Sequence, residues 1–234
     1  MSGIQVVDLG TRPYAEVLEL QRRLCRERMT GRRDEDLLLL VEHPPVITLG
    51  RGTKATSLPL SPDQLEQRGL EVFEVERGGD VTLHAPGQLV GYPIFDLQQH
   101  KPDLHWYLRQ IEAALIIGLA DLGIAASRNA GATGVWTNGR KIASIGIHVK
   151  QWVTFHGFAL NVTTALDLFD LIVPCGIHGV TMTSIARETG RAGDLMADAR
   201  LHVVAGFARA FDRVCTPATE ALLAPREPEP TAGR

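Results

Sequence analysis

The sequence predicts a single α/β (α+β) domain with a mixed, largely antiparallel sheet flanked by helices. Strand-like runs outnumber helical ones, hairpin signals alternate with longer helical connections, and no internal repeat or linker is visible. The chain has 234 residues, 44% hydrophobic and 22% charged, which is long enough to bury a core without disulfides. We expect residues 1–216 to fold and residues 217–234, rich in proline and charge, to form a disordered tail.

The first half of the chain contains strands and two helices. Pro13 opens a helix whose apolar positions recur at helical spacing and which Gly31 ends. Ser61 and the proline after it predict a short helix that ends at Gly69. Strands are predicted for residues 4–9, 36–43, 46–49, 70–75, 81–84 and 88–97.

The second half contains two longer helices and a hairpin. Apolar residues at helical spacing predict a helix from Pro102 to Gly123 and a last helix at about 194–214. Asn138 and Gly139 predict a tight turn, because a type I′ hairpin requires positive φ at both positions. The strands predicted around and after this turn are 135–137, 140–149 and 155–162.

The composition excludes several classes of protein. A net charge of -3 and a pI near 6.2 argue against binding to duplex nucleic acid, which needs an excess of basic residues. The longest apolar run, residues 113–120, is too short to cross a bilayer, and residues 1–10 lack the basic start of a secretion signal. We therefore expect a cytoplasmic protein that binds neither nucleic acid nor membrane.

Side chains that commonly bind metals or form disulfides are scattered along the chain. Cysteines 25, 175 and 215 form no C-x-x-C pair, and the histidines form no H-x-x-x-H motif. We expect no metal site and no cofactor, and we interpret Cys25 and Cys215 as core residues.

The segment from Arg77 to Gln88 is the first candidate for a binding site. It reads Arg-Gly-Gly-Asp-Val-Thr-Leu-His-Ala-Pro-Gly-Gln, and its glycines let the backbone approach a ligand closely. In an extended segment Asp80, Thr82 and His84 share one face. A hairpin with a β-bulge explains the same residues about as well. The chain contains no dinucleotide-binding or P-loop fingerprint.

Lys141 is the second candidate. It follows the predicted turn and shares strand parity with the apolar residues Ala143, Ile145, Ile147 and Val149. A buried ammonium is costly unless its pKa falls or an anionic group such as a thiolate pairs with it. A lysine at the strand edge, with its ammonium in water, is the commoner arrangement.

Cys175 is the third candidate. Pro174 fixes the local chain path and Gly176 removes side-chain bulk, which leaves the sulfur accessible beside backbone N–H groups able to bind an oxyanion. Most lone cysteines are inert, and the nearby His178 adds little because catalytic partners meet in space rather than in sequence. From the residues alone, a nucleophile and an inert thiol are both open interpretations.

Six arginines lie close together in the first helix and just after it. A solvated helix face explains such a cluster, and the cluster is also the best basic patch for docking an acidic partner. The residues are Arg22, Arg23, Arg26, Arg28, Arg32 and Arg33, of which the first three are our docking candidates.

Three motifs in this order resemble the octanoyltransferase family of lipoate biosynthesis, which is related to the lipoate and biotin protein ligases. They are R-G-G-x-x-T-x-H-x-P-G-Q at 77–88, G-R-K-I-A-S-I-G at 139–146 with H-G-F-A-L-N-V at 156–162, and P-C-G-I at 174–177. The resemblance covers residues 4–214 and implies the fold of a biotin/lipoate protein ligase catalytic domain. The chain departs from the family's common pattern at Leu83, commonly aromatic, and at Ala85, commonly glycine.

The resemblance implies an acyltransferase that moves an octanoyl group from octanoyl-acyl carrier protein to a lysine of a lipoyl domain. The implied acceptors are the E2 subunits of 2-oxoacid dehydrogenases and the glycine cleavage H protein. By its place in the motifs, Cys175 is implied as the nucleophile that forms an acyl thioester, and Lys141 as the residue that lowers the pKa of that thiol. The implied substrate-binding residues are Arg77, Gly78, Gly79, Asp80, Val81, Thr82, Leu83, His84, Ser144, Ile145, Gly146, Gly157, Phe158 and Ala159.

Three other functions are consistent with parts of the pattern. An ATP-dependent lipoate or biotin ligase shares the first two motifs but lacks the Pro-Cys-Gly nucleophile. An amidotransferase takes its octanoyl group from another octanoylated protein, again through a cysteine. A non-catalytic acyl-binding module keeps the groove without covalent chemistry, which the joint presence of Lys141 and Cys175 disfavours.

Overall fold

Two β-sheets and five α-helices make up the described part of the chain, which in this computed structural model comprises residues 3–173 and 179–226. The helices are α1 (Tyr14–Met29), α2 (Pro62–Glu66), α3 (Leu104–Asp121), α4 (Ile185–Thr189) and α5 (Leu195–Phe211). The strands are β1 (Ile4–Thr11), β2 (Asp36–Glu42), β3 (Val46–Leu49), β4 (Glu71–Glu74), β5 (Val81–His84), β6 (Gln88–Ile94), β7 (Ser127–Asn129), β8 (Ala132–Thr137), β9 (Arg140–Lys150), β10 (Val153–Asn161) and β11 (Cys215–Pro217).

The larger sheet is mixed and largely antiparallel, which confirms the predicted fold class. Its eight strands run in the order β11-β1-β2-β6-β10-β9-β8-β7, and only the β11-β1 and β1-β2 pairs are parallel. The sequence did not predict that β3, β4 and β5 would separate into a second sheet, in the order β4-β3-β5.

Helices cover both faces of the larger sheet. In β2 the side chains of Leu38 and Leu40 join the core beneath α3 and α5, whereas Leu37 and Leu39 join the core beneath α1. This alternation explains why the run reads as continuously apolar: each face needs its own set of hydrophobic residues. Within the described residues, no helix has both the length and the apolar character needed to cross a bilayer.

The predicted hairpin joins β8 to β9. Asn138 has φ 50° and Gly139 has φ 73°, as a type I′ turn requires. The turn fixes the register at the start of β9 and places Lys141 opposite Trp136. The last helix ends earlier than predicted, at Phe211, because Asp212 adopts the left-handed conformation at its C-cap.

Ordered structure continues past residue 216, where the tail was predicted to begin. Strand β11 pairs with β1, and Leu223 in the following turn is buried. Arg33 donates to the carbonyls of Leu222 (2.9 Å) and Ala224 (3.2 Å). The prediction of disorder is therefore wrong for residues 217–226, because composition does not reveal distant arginines that bind the backbone. Residues 227–234 lie outside the described residues. That residues 1–216 form a single domain stays a prediction.

Deleting residues 218–234 is expected to lower the free energy of unfolding by at least about 2 kcal/mol, the value of burying one leucine side chain such as Leu223. Arg33 loses two acceptors as well. Urea denaturation of the full chain and of the two truncated chains measures the effect. Deletion of residues 227–234 alone is the control, and equal stability of the two truncated chains would contradict the assignment.

Candidate active site

A cavity of about 220 Å³ lies where the two sheets meet. Strands β6, β9 and β10 of the larger sheet form one side, and β5 of the smaller sheet with the loop before it forms the other. Most of the residues implied as substrate contacts line this cavity. They are Arg77, Gly79, Asp80, Val81, Thr82, His84, Ser144, Ile145, Gly146, Gly157, Phe158 and Ala159, and Lys141 lines it as well.

Two of the implied contacts do not line the cavity. Leu83 is fully buried in the core of the smaller sheet, because it points to the opposite face of β5 from Thr82 and His84. Gly78 donates its N–H to the carbonyl of Ile147 (2.8 Å) and joins the loop to β9 instead. Ala85 lies in the same core as Leu83, so the two departures from the family pattern lie behind the cavity wall.

Arg77 lines the cavity and also organises its loop. The guanidinium donates to the carbonyl of Thr48 (2.6 Å) and to the carbonyl of Asp80 (2.7 Å). The Asp80 carboxylate accepts from the Ser57 hydroxyl (2.7 Å) and from the Val81 N–H (2.7 Å). Both side chains therefore hold the Gly-Gly turn in place, a role that the sequence alone did not predict.

Lys141 is buried, with 1% of its surface exposed, so the expectation of a strand-edge lysine in water is wrong. Its Nζ lies 5.6 Å from the centroid of the Trp136 ring, within the range of a cation–π contact. Its aliphatic stem passes over Gly134, where an added Cβ would come within 2.7 Å of Lys141 Cε. Glycine at position 134 thus leaves room for the lysine to reach the cavity.

The backbone of Lys141 is joined to the segment that follows the Pro-Cys-Gly motif. Its N–H donates to the carbonyl of Thr181, and its carbonyl accepts from the N–H of Thr183, each at 2.9 Å. On the other side of the motif, the Val173 N–H donates to the carbonyl of Ser57 (2.9 Å). Both flanks of the motif are therefore anchored at the cavity. Residues 174–178, with the candidates Cys175 and His178, lie outside the described residues.

Sequence reasoning missed several lining residues: Tyr14, Val90, Tyr92, Gly131, Ala132, Thr133 and His156. The alternation of side chains between the two faces of a strand could have identified Val90 and Tyr92, because these residues of β6 share one face. Tyr14 carried no such signal, because its helical spacing indicated only a core residue. Its ring stacks on His84, with centroids 5.8 Å apart.

Two histidines are neutral at pH 7: His84 in the cavity lining and His43 next to the lining residue Tyr92. His43 Nδ1 donates to the carbonyl of Arg12 (2.8 Å), so His43 Nε2 accepts from the Tyr92 hydroxyl (2.9 Å). Burial lowers the pKa of His43 to about 4 and the pKa of His84 to about 3. The inner wall therefore carries polar atoms without positive charge from these two residues.

The arginine cluster is largely engaged inside the protein, which corrects its interpretation as a solvated helix face. Arg28 and Arg33 are buried, and Arg26 is exposed. Arg22 and Arg23, two of the three docking candidates, form ion pairs within the protein, which weakens the docking hypothesis. The ion pairs of the whole cluster are Arg22–Glu76 (2.7 Å), Arg23–Glu27 (2.7 Å), Arg28–Asp36 (3.2 Å) and Arg33–Glu27 (3.0 Å).

The two described cysteines behave as structural residues. Cys25 is buried and Cys215 is half-buried, and burial raises the pKa of each thiol to about 11. Neither lines the cavity. Among residues 3–173 and 179–226, no three histidine, cysteine or carboxylate side chains cluster closely enough to bind a metal ion.

The lowered pKa of His43 predicts a loss of stability in mild acid. Between the unfolded pKa near 6.5 and the folded value of about 4, the unfolded chain binds a proton that the native chain does not. Stability therefore falls as pH falls through this range, by up to about 1.4 kcal/mol per pH unit for this histidine. We expect His43→Gln to reduce the loss between pH 6.5 and pH 5 by about 1.5 kcal/mol.

Urea denaturation at several pH values measures this difference. The control is His105→Gln, which changes an exposed histidine and keeps the wild-type slope. A His43→Gln slope equal to that of the wild type would show that His43 is protonated as readily in the native state as in the unfolded state.

Comparisons with known proteins agree with the observed fold. The family model described as the lipoyl protein ligase A/B catalytic domain matches residues 13–208. An octanoyltransferase from Gloeobacter violaceus is 46% identical over 220 residues, which are 94% of this chain and 96% of that protein. An octanoyltransferase from Geobacter sulfurreducens is 50% identical over 205 residues, or 88% of this chain and 83% of that protein.

The fold is also that of a solved structure. A crystal structure of lipoate-protein ligase A bound with ATP has a TM-score of 0.76 to this chain at 18% identity and covers 96% of this chain and 93% of that one. Together with the family match over most of the chain, these findings show that the protein belongs to the lipoyl protein ligase A/B catalytic domain family.

Proposed function

We propose that this chain is an octanoyltransferase of protein lipoylation, which transfers an octanoyl group from octanoyl-acyl carrier protein to a lysine of a lipoyl domain. One observation carries the proposal: Lys141 is buried in the cavity wall, and its backbone is hydrogen bonded to the segment that follows Cys175. The octanoyltransferases at 46% and 50% identity support the same activity.

Chain connectivity supports Cys175 as the nucleophile. Cys175 is two positions after Val173, so the two Cα atoms are at most about 7 Å apart. Val173 is bonded to Ser57, and Ser57 is bonded to Asp80 in the cavity wall. The other flank is bonded to Lys141 itself. The described residues on both sides of the motif are therefore bonded to residues of the cavity wall or to their direct partners, which supports Cys175 as the residue that attacks the acyl group.

The cavity suits a medium-length acyl chain. Apolar residues line it, among them Val90 and Ala159, which belong to the core beneath α1. His84 on the same wall is neutral at pH 7 because burial lowers its pKa to about 3. Each methylene transferred from water into such surroundings contributes about 0.8 kcal/mol, so an eight-carbon chain gains binding energy without any charged partner.

The proposed reaction has two balanced steps. The Cys175 thiolate attacks the thioester carbonyl of the donor, a new C–S bond forms, and the donor thiolate leaves with a proton from Lys141. The amine of the acceptor lysine then attacks the Cys175 thioester, an amide forms and the Cys175 thiolate leaves. Lys141, now neutral, takes the proton that the amine loses. The lysine ammonium is regenerated, and its charge again favours the thiolate over the thiol.

An ATP-dependent ligase is the second candidate. The solved ligase bound with ATP has the same fold, although at 18% identity. Cys175 argues against this function, because a ligase activates the free acid with ATP and does not need a thiol nucleophile. The acceptors that we propose are the lipoyl domains of 2-oxoacid dehydrogenase E2 subunits and the glycine cleavage H protein.

Intact-protein mass spectrometry tests the proposal directly. The enzyme is mixed with octanoyl-acyl carrier protein in the absence of ATP, and Cys175→Ser is treated in parallel. We expect a single octanoyl adduct on the wild type that hydroxylamine removes and that an apo lipoyl domain discharges, and no such adduct on Cys175→Ser.

Other outcomes identify the alternatives. Modification of the lipoyl domain only with ATP and free octanoate would show a ligase. An adduct formed only from an octanoylated lipoyl domain would show an amidotransferase. Binding of the acyl donor without any adduct would show a non-catalytic module, and each of these results would contradict the proposed function.

A further inference from the structure

Glu188 in α4 does not line the cavity, and the proposed reaction gives it no role. Its side chain is 5% exposed, and its carboxylate accepts hydrogen bonds from three other side chains. Two of them belong to the β8-β9 hairpin: Arg140 donates through Nε (3.0 Å) and Nη2 (2.9 Å), and Asn138 donates through Nδ2 (3.1 Å). The third donor is the Thr183 hydroxyl, in the segment after the Pro-Cys-Gly motif. One carboxylate therefore joins two distant parts of the chain.

Thr183 is held at three of its polar groups. Its N–H donates to the carbonyl of Lys141 (2.9 Å), and its carbonyl accepts from the side-chain amide of Asn161 (3.0 Å). Its hydroxyl donates to Glu188. Thr183 is fully buried, so water does not replace these partners. The backbone bond to Lys141 is therefore part of a larger network, in which Glu188 supplies the charge.

Glu188 itself is held in place by its short helix. The Ser184 side chain caps the first turn of α4. The Ala186 N–H donates to the carbonyl of Val162, just after β10 (2.9 Å), and Ile185 is fully buried in the core beneath α3 and α5. The helix is thus attached to the larger sheet, and the carboxylate contacts Thr183 from a fixed base.

The Glu188 carboxylate is ionised at neutral pH. Burial raises its pKa, but the hydrogen bonds from Arg140, Thr183 and Asn138 outweigh burial, and the net effect lowers the pKa. A hydrogen bond to an ionised acceptor is roughly twice as strong as one between neutral groups. The contact between Glu188 and the Thr183 hydroxyl is therefore well suited to fix the position of the segment that carries Thr183.

We propose that Glu188 is a positioning residue of the acyl transfer, whose carboxylate holds the segment after the Pro-Cys-Gly motif against the Lys141 end of β9. This inference rests on the proposed function and adds to it a residue outside the cavity. In the proposed reaction, the Lys141 ammonium favours the Cys175 thiolate, and this effect weakens steeply as the two groups separate. Glu188 acts on their separation through Thr183, which carries one of the two backbone bonds to Lys141.

The first test is Glu188→Gln, which keeps the size of the side chain and removes its charge. The new amide nitrogen is a donor that faces other donors, so at least one contact of the carboxylate is lost. The values of kcat and KM are measured with octanoyl-acyl carrier protein and an apo lipoyl domain. We expect kcat to fall about tenfold or more, because small displacements of reacting groups slow a reaction strongly. KM for the octanoyl donor is expected to stay unchanged, because Glu188 does not line the cavity.

The pH dependence of Cys175 alkylation by iodoacetamide separates positioning from a direct effect of charge. Removal of a nearby negative charge would lower the pKa of a thiol, because a carboxylate disfavours a thiolate. Loss of the alignment with Lys141 would raise it, because the ammonium would no longer favour the thiolate. We expect the alkylation midpoint of Glu188→Gln to lie above that of the wild type.

Two further variants complete the test. Thr183→Val keeps the shape of the side chain and the Arg140–Glu188 ion pair and removes only the hydroxyl, so the same loss of kcat and the same rise of the midpoint are expected. Adding Glu188→Gln to it is expected to change little, because both substitutions break one contact. The matched control is Asp198→Asn, which also converts a carboxylate to an amide and breaks an ion pair with an arginine, the exposed Arg191 (2.6 Å). It is expected to keep the wild-type kcat and midpoint.

The outcomes separate this inference from the proposed function. If the wild type transfers octanoyl groups and Glu188→Gln and Thr183→Val keep its kcat, or do not raise the midpoint, the positioning role is wrong and the proposed function stands. A rise in KM at unchanged kcat would overturn the role as well, because it would indicate a residue of substrate binding. If Glu188→Gln does not fold, Thr183→Val decides by the same criteria. If the wild type transfers no octanoyl group, the proposed function is wrong, and the positioning role is overturned with it.

Discussion

The candidate site depends on the backbone pairing between Lys141 and residues 181–183. Two hydrogen bonds of 2.9 Å connect the first residues of β9 to the segment after the Pro-Cys-Gly motif. Lys141 and the motif are more than thirty positions apart in the sequence. These two bonds join Lys141 to the residues that follow the motif. The hairpin at Asn138 and Gly139 sets the register of β9, so a local turn signal determines which residue reaches the cavity.

The site combines the buried Lys141 with the Arg77 guanidinium and with neutral histidines. Burying a lysine side chain is unfavourable unless an anion or an aromatic face compensates, and Trp136 lies beside Lys141 at 5.6 Å. Burial lowers the pKa values of His84 and His156, so these two rings add no positive charge to the cavity.

Much of this arrangement was predictable because it depends on short-range patterns. Helical and strand periodicity located most elements, and the three motifs identified most of the cavity wall. Predictions failed where distant residues decide the outcome. Lys141 is buried because Gly134 leaves space for its stem, Leu83 points into the second sheet, and residues 217–226 are ordered by Arg33. The positive φ of His156 was not predictable either, since Gln21 of another element supports it.

The most direct test of the account is the pH dependence of Cys175 alkylation by iodoacetamide in the wild type and in Lys141→Met. Burial raises the pKa values of the Cys25 and Cys215 thiols to about 11, so neither contributes near neutral pH. We expect the wild-type profile to have its midpoint below about 8.5, the value of an ordinary thiol, and Lys141→Met to shift that midpoint upwards. Identical profiles in the two proteins would contradict the proposal that the charge of Lys141 favours the Cys175 thiolate.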